Sequence, residues 1–170
     1  RAFYLFDTLL KERRQITYAT GRLKASRALA EREGVNKVCS ESWQRYEQWR
    51  EVYRAVESQH VGVLDFEEAL WLLLECKQWQ EFDRIWCEVP ERYLLSCELM
   101  HVRCAYLQEQ ERVEEALTYL HEVEKLHLEL PAEQKQAFEE LVRDLRKNNV
   151  LRLKRSPYVI DLYIKPNHTQ

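Results

Sequence analysis

Glycine and proline are scarce in this chain, with three of the first and four of the second in 170 residues. Strand-rich folds turn tightly and often, and those turns draw on both residues, so the scarcity points to long helices joined by short connections. Long apolar runs are missing as well. The longest, such as Ala69 to Leu74, fall far below the roughly 20 residues that cross a bilayer, so no membrane span is expected. The start lacks a positively charged lead into an apolar segment with a small-residue cleavage site, so no signal peptide is expected either. Arg1 in place of Met reads as a processed chain or a piece of a longer one.

The five cysteines, Cys39, Cys76, Cys87, Cys97 and Cys104, are odd in number and not closely paired. That disfavours a secreted disulfide framework and predicts a reducing intracellular compartment, with cytoplasm, nucleus and mitochondrial matrix all open. They read as small core residues. No C-x-x-C occurs, and His60, His101, His121, His127 and His168 have no metal-ligand spacing. A glycine-rich phosphate loop, a G-x-S-x-G elbow and an H-E-x-x-H motif are all absent. The expectation is a protein that is not an enzyme and holds no metal or cofactor.

What is present is a repeat. Tyr46, Trp49, Val52, Tyr53 and Val56 recur as Trp79, Phe82, Ile85, Trp86 and Val89, 33 residues on, and as Val113, Ala116, Tyr119, Leu120 and Val123, a further 34 on. A second ladder, Phe66, Leu70 and Leu73, recurs as Met100, Cys104 and Leu107 at 34, and Phe138 and Leu141 continue it. Each ladder is one helix face, so two helices repeat together. A two-helix unit of this length cannot bury both faces alone and has to stack on its neighbours. The predicted fold is all-α: a right-handed α-α superhelical solenoid of stacked antiparallel helix pairs over residues 1–149. Residues 150–165 change period around Ser156 and Pro157, as two short strands of a β-hairpin cap or as a final helix, and 166–170 form a loose tail.

Along the chain, helices are expected at Ala2 to Gln15, Arg22 to Glu33, Glu41 to Glu57, Phe66 to Cys76, Gln80 to Cys87, Tyr93 to Leu107, Arg112 to His127 and Ala132 to Lys147. The β-branched Ile16 to Thr20 is weak as helix unless packing on a solenoid neighbour overrides that, and Gly21 reads as a bend or a restart. Asp65 is placed as the N-cap of the helix beginning at Phe66.

Two stretches resemble a known family. Arg112 to Pro131, RVEEALTYLHEVEKLHLELP, looks like the second helix and exit of a pentatricopeptide repeat, and Trp79 to Pro90, WQEFDRIWCEVP, is a looser version. The 34-residue shift and the small Ala116 are equally similar to tetratricopeptide repeats. Phe82 and Trp49 stand where both families usually have alanine, which implies wider or differently tilted packing there. In the pentatricopeptide case the resemblance implies an RNA-base-reading position, where this chain has Glu67 and His101. A glutamate at that position repels phosphate, so the resemblance speaks for architecture more than for an RNA code.

Charge is distributed unevenly. Between Glu57 and Glu140 there are 20 acidic and 7 basic side chains, a local balance of −13, while the two ends together carry +10. Such asymmetry steers partners without fixing the fold. The function expected is a non-enzymatic helical-repeat scaffold that binds a partner protein or peptide within a larger assembly, its acidic centre suiting a basic segment. The alternative is a pentatricopeptide-like organellar RNA-binding factor. Candidate contacts are Glu67 and His101 on the inner face of the first helices, and Trp71 as an aromatic anchor if exposed beside arginines. Arg146, Lys147, Arg152, Lys154 and Arg155 form a basic cluster. That cluster reads as a phosphate or acidic-peptide contact, or simply as cations favoured at a helix C-terminus. Acidic pairs such as Glu67 and Glu68, or Glu114 and Glu115, read as solvated faces, and Trp79 and Trp86 as core.

Overall fold

The computed structural model describes residues 2–33, 38–126 and 131–146. Among these residues all regular structure is helical: α1 Ala2–Glu33, α2 Val38–Ala55, a single 3-10 turn Ser58–His60, α3 Val63–Glu75, α4 Trp79–Glu88, α5 Glu91–Leu94, α6 Cys97–Glu109, α7 Val113–Leu126 and α8 Ala132–Arg146. The chain divides into two compact units, Arg1–Glu88 and Val89–Gln170. The expected hairpin at 150–165 and tail at 166–170 lie outside the described residues.

In the first unit α1 is one continuous helix of 32 residues, where a break near Ile16 to Gly21 was expected. Ile16, Ala19, Thr20, Leu23, Ser26 and Arg27 are buried at helical spacing, and α1 packs on both α2 and α3. Burial of that stripe overrides the weak local propensity of the β-branched residues. Gly21 sits on the exposed side, with open space where a Cβ would stand, so it is neither a bend nor a restart.

Antiparallel packing of α1 and α2 is fixed by polar contacts. Glu12 meets His60 and the backbone of Glu57, Thr20 meets Trp49, and Arg22 meets Arg45. Along α2 an aromatic ladder climbs from Trp43 through Tyr46 and Trp49 to Tyr53, with ring centroids 4.9 to 5.9 Å apart, and ends edge-on against Phe66 of α3. Offset and tilted aromatic pairs of this kind add to what burial alone contributes.

Helix α3 starts earlier than expected. Gly62 occupies the N-cap, and Asp65, in the third helical position, accepts the Gly62 N–H at 2.7 Å. A Cβ on Gly62 would stand 3.3 Å from that carboxylate, so the close approach suits glycine. The helix expected over Tyr93 to Leu107 is instead two: the short α5, then α6 from Cys97 after Leu95 and Ser96.

The second unit packs α6 on α7 and α7 on α8. Ala116, Leu120 and Val123 give α7 a narrow buried stripe, and the Tyr119 hydroxyl donates to the Leu94 carbonyl at 2.8 Å, tying α7 back to the end of α5. Phe138 is the buried anchor of α8.

The two helix pairs α3/α4 and α6/α7 match at an offset of 34. Both first helices have 13 residues, and both are followed by a residue of positive φ, Lys77 at 53° and Glu111 at 58°. The next amides then reach back: Gln78 N–H to Leu73 O at 2.9 Å, and Arg112 N–H to Leu107 O at 2.8 Å. This is the left-handed helix stop usually given to glycine, made here with lysine and glutamate. Of the repeated face, Trp49, Phe82 and Ala116 are fully buried, as are Ile85 and Val123 and, nearly so, Val56 and Val89. Trp79 and Trp86, expected in the core, are only half-buried.

Candidate functional site

The residues expected to meet a partner fall into two groups. Glu67, Trp71 and His101 are buried, at 1%, 1% and 8% exposure. All ten residues from Asp65 to Leu74 are buried, so α3 has no open face there, and the positions that a helical register marked as an inner surface have almost none to offer. Arg146 is the last residue of α8, without a described side chain, while Lys147, Arg152, Lys154 and Arg155 lie outside the described residues.

The pair Glu67 and Glu68, expected to be solvated, is interior. Arg27 of α1 explains the second of them. Its guanidinium donates to Glu68 at 3.0 Å and to Glu75 at 2.8 and 3.0 Å, and lies 5.6 Å from the centre of the Trp71 ring. Burial alone would pull its pKa down, but Glu75 and then Glu68 outweigh burial and hold it above the ordinary arginine value. Nearer the start of α3, Thr20 donates to Asp65 at 2.7 Å and accepts from the Trp49 indole at 3.0 Å. Burial pushes the Asp65 carboxyl up, and the Thr20 and Gly62 donors with the charge of Arg13 only partly offset it. This polar seam locks α1 against α2 and α3. It was invisible in the sequence because its partners stand 29 to 48 residues apart.

Between α2 and α4 a second cluster forms on Glu81. Tyr46 and Arg50 donate to it at 2.5 and 3.4 Å, together with Arg84. Burial raises the Glu81 pKa, but these donors overcome it and hold the carboxyl below its usual range.

Fixing α1 on α2 leaves a groove of about 410 Å³ on the outer side of the pair. One wall is Gln15, Tyr18, Ala19 and Arg22, and the other is Arg45, Gln48, Trp49, Val52 and Ala55 with Glu51. Both walls follow the three- and four-residue spacing of one helix face. A second depression of about 590 Å³ shares Gln15 and Tyr18 and extends along α1 through Arg14, Lys11, Leu10 and Asp7. Tyr18 is 70% exposed, against 38% for Leu10 in the same depression. Lys11, Arg14, Arg22 and Arg45 enter no ion pair among the described residues. Aromatic and arginine side chains around an apolar floor are the usual anchors of an interface. The sequence signal was there, in basic residues alternating with Tyr18, but the weak helix propensity of Ile16 to Thr20 concealed it.

In the second unit the outer face of α7 carries exposed Glu114, Glu115, Glu122 and Glu124, with Leu126 exposed beyond them. Cys97 and Cys104 are buried as expected, whereas Cys76 is half-buried and Cys87 exposed. For Cys104, burial pushes the thiol well above its ordinary pKa, opposite to what a reactive thiol needs. Among the described residues no group of three His, Cys, Asp or Glu could hold a metal ion, and no helix is long and apolar enough to cross a membrane. Searched against family models, curated proteins and solved structures, the chain matches none.

Proposed function

We propose that this chain is a non-enzymatic helical-repeat interaction module of the solenoid type, holding a partner protein or peptide within a larger assembly in a reducing compartment. The observation that carries the reading is the α1/α2 groove, where an exposed Tyr18 and cations that enter no ion pair among the described residues border apolar side chains. Support for the repeat comes from the equal lengths of α3 and α6 and their equivalent left-handed stops at a 34-residue offset. The acidic outer face of α7 keeps a basic partner segment in view for the second unit.

The rival is an RNA-binding, pentatricopeptide-like factor that would spend the same cations on phosphates. Placing a photo-crosslinking amino acid at position 18 or 48 of the full chain and irradiating it in cell extract separates them. Protein adducts that survive nuclease treatment and physiological salt are expected. Adducts to RNA that vanish as salt rises, through counterion release, would favour the rival. No adduct at either position would remove the groove as a docking site.

A further inference from the structure

We infer that the α1/α2 groove receives an amphipathic helix of a partner protein flanked by acidic residues, an inference that rests on the interaction-module reading. Three observations converge on that occupant. The groove is bordered by two antiparallel helices with an apolar floor, Ala19, Val52 and Ala55 beside Trp49, which is how grooves that take a helix are built. A second depression lined by α1 shares Gln15 and Tyr18 with the groove and carries the concave surface on to Asp7, and Asp7 to Arg22 spans about 22 Å of helix, roughly four turns. Its rim is basic: Lys11, Arg14, Arg22 and Arg45 against Asp7 and Glu51.

Nucleic acid fits this surface less well. Single strands are held by successive bases on successive aromatic faces. Here Tyr18 is the exposed ring, while Trp49 is fully buried, stacked against Tyr53 and hydrogen-bonded to Thr20. The chain's own C-terminal segment is also a poor occupant, because residues 147–170 hold Lys147, Arg152, Lys154, Arg155 and Lys165 against the single acid Asp161.

The test is fluorescence anisotropy of the full chain with labelled peptides of about 15 residues, long enough for the groove. One peptide carries leucines at helical spacing with glutamates on the flanks. A second has lysines for the glutamates, a third is the acidic peptide interrupted by a central proline, and a fourth probe is mixed single-stranded RNA. The acidic helix is expected to bind about tenfold tighter than the lysine version and to weaken with salt. Arg22→Glu combined with Arg45→Glu reverses the preference, and Tyr18→Ala weakens binding about tenfold. Tyr18 and Arg22 are exposed, whereas Arg45 is half-buried and its substitution gives up one donor to the Arg22 carbonyl, so circular dichroism of each variant checks that the helices persist.

Equal binding of the proline-interrupted peptide overturns the helical occupant, and tighter binding of the lysine peptide or RNA overturns its charge. Failure of every probe also overturns the inference. The interaction-module reading then still stands if a crosslinker at position 18 traps protein, and falls with it if not.

Discussion

The pairs α3/α4 and α6/α7 share a backbone plan and differ in what they bury. Their first helices have the same length and stop on the same left-handed turn, and their second helices begin at Trp79 and Val113, 34 residues apart. Yet α3 buries Asp65, Glu67 and Glu68, where α6 buries His101 as its one polar side chain among the described residues. The fully buried second position of the repeated face is Phe82 in one pair and Ala116 in the other. The difference traces to α1. Among the described residues only the first unit has a long helix that lays Arg27 and Thr20 against α3, and Asp65 and Glu68 are tolerable there because those donors answer them. The shared 34-residue spacing goes with a shared backbone geometry, and the neighbouring helix sets which chemistry can be interior.

The largest effect should come from breaking that answer. Arg27→Ala strands Glu68 and Glu75 without their cation, at a cost of about 3–5 kcal/mol. Replacing Arg27, Glu68 and Glu75 together by methionine should restore most of the loss, since well-packed apolar side chains often substitute for a buried ion cluster. All five tryptophans lie between Trp43 and Trp86, so tryptophan fluorescence during urea unfolding reports the first unit. An unchanged midpoint for Arg27→Ala would show that the seam contributes nothing.

The packing difference is broken next. Phe82→Ala should cost about 3–5 kcal/mol through lost burial and a residual cavity. Ala116→Phe should cost about 1–3 kcal/mol by overpacking. Far-ultraviolet circular dichroism follows both, and tryptophan emission should register the first far more than the second. If Ala116→Phe proved neutral, the two pairs would have interchangeable interiors.

The smallest effect concerns what they share. Lys77→Gly and Glu111→Gly each remove a Cβ from a left-handed residue, and each should stabilise by about 1 kcal/mol or less. Nearly equal gains in thermal midpoint would identify the two turns as one device. A gain at one and a loss at the other would mean that a side-chain contact holds the second.

Much of the helical plan was legible. The spacing Phe66, Leu70, Leu73 and its copy Met100, Cys104, Leu107 marked the buried side of α3 and α6, and all six are buried. The repeated face was legible only in part: its second and fifth positions are buried in each copy, while Trp79 and Trp86 keep surface that their apolar character did not foretell. The candidate site was harder to see. Glu67 and His101 were marked by a register that assumes an open inner face, and burial around α3 removes it. Tyr18 went unmarked because Ile16, Thr17 and Thr20 argue locally against the helix that presents it, and Arg22 and Arg45 because only the packing of α1 on α2 brings them together.

Periodicity alone therefore determined that the described residues are helical, where most of their helices run and which residues share a face, because those properties depend on neighbours a few positions away. Only tertiary structure decided that α1 is unbroken, that Arg27 belongs with Glu68 and Glu75, and that a basic groove opens beside Tyr18. Those outcomes depend on which faces meet across dozens of residues, and burial energy gained there exceeds the few tenths of a kcal/mol per residue, roughly, by which local propensity can object.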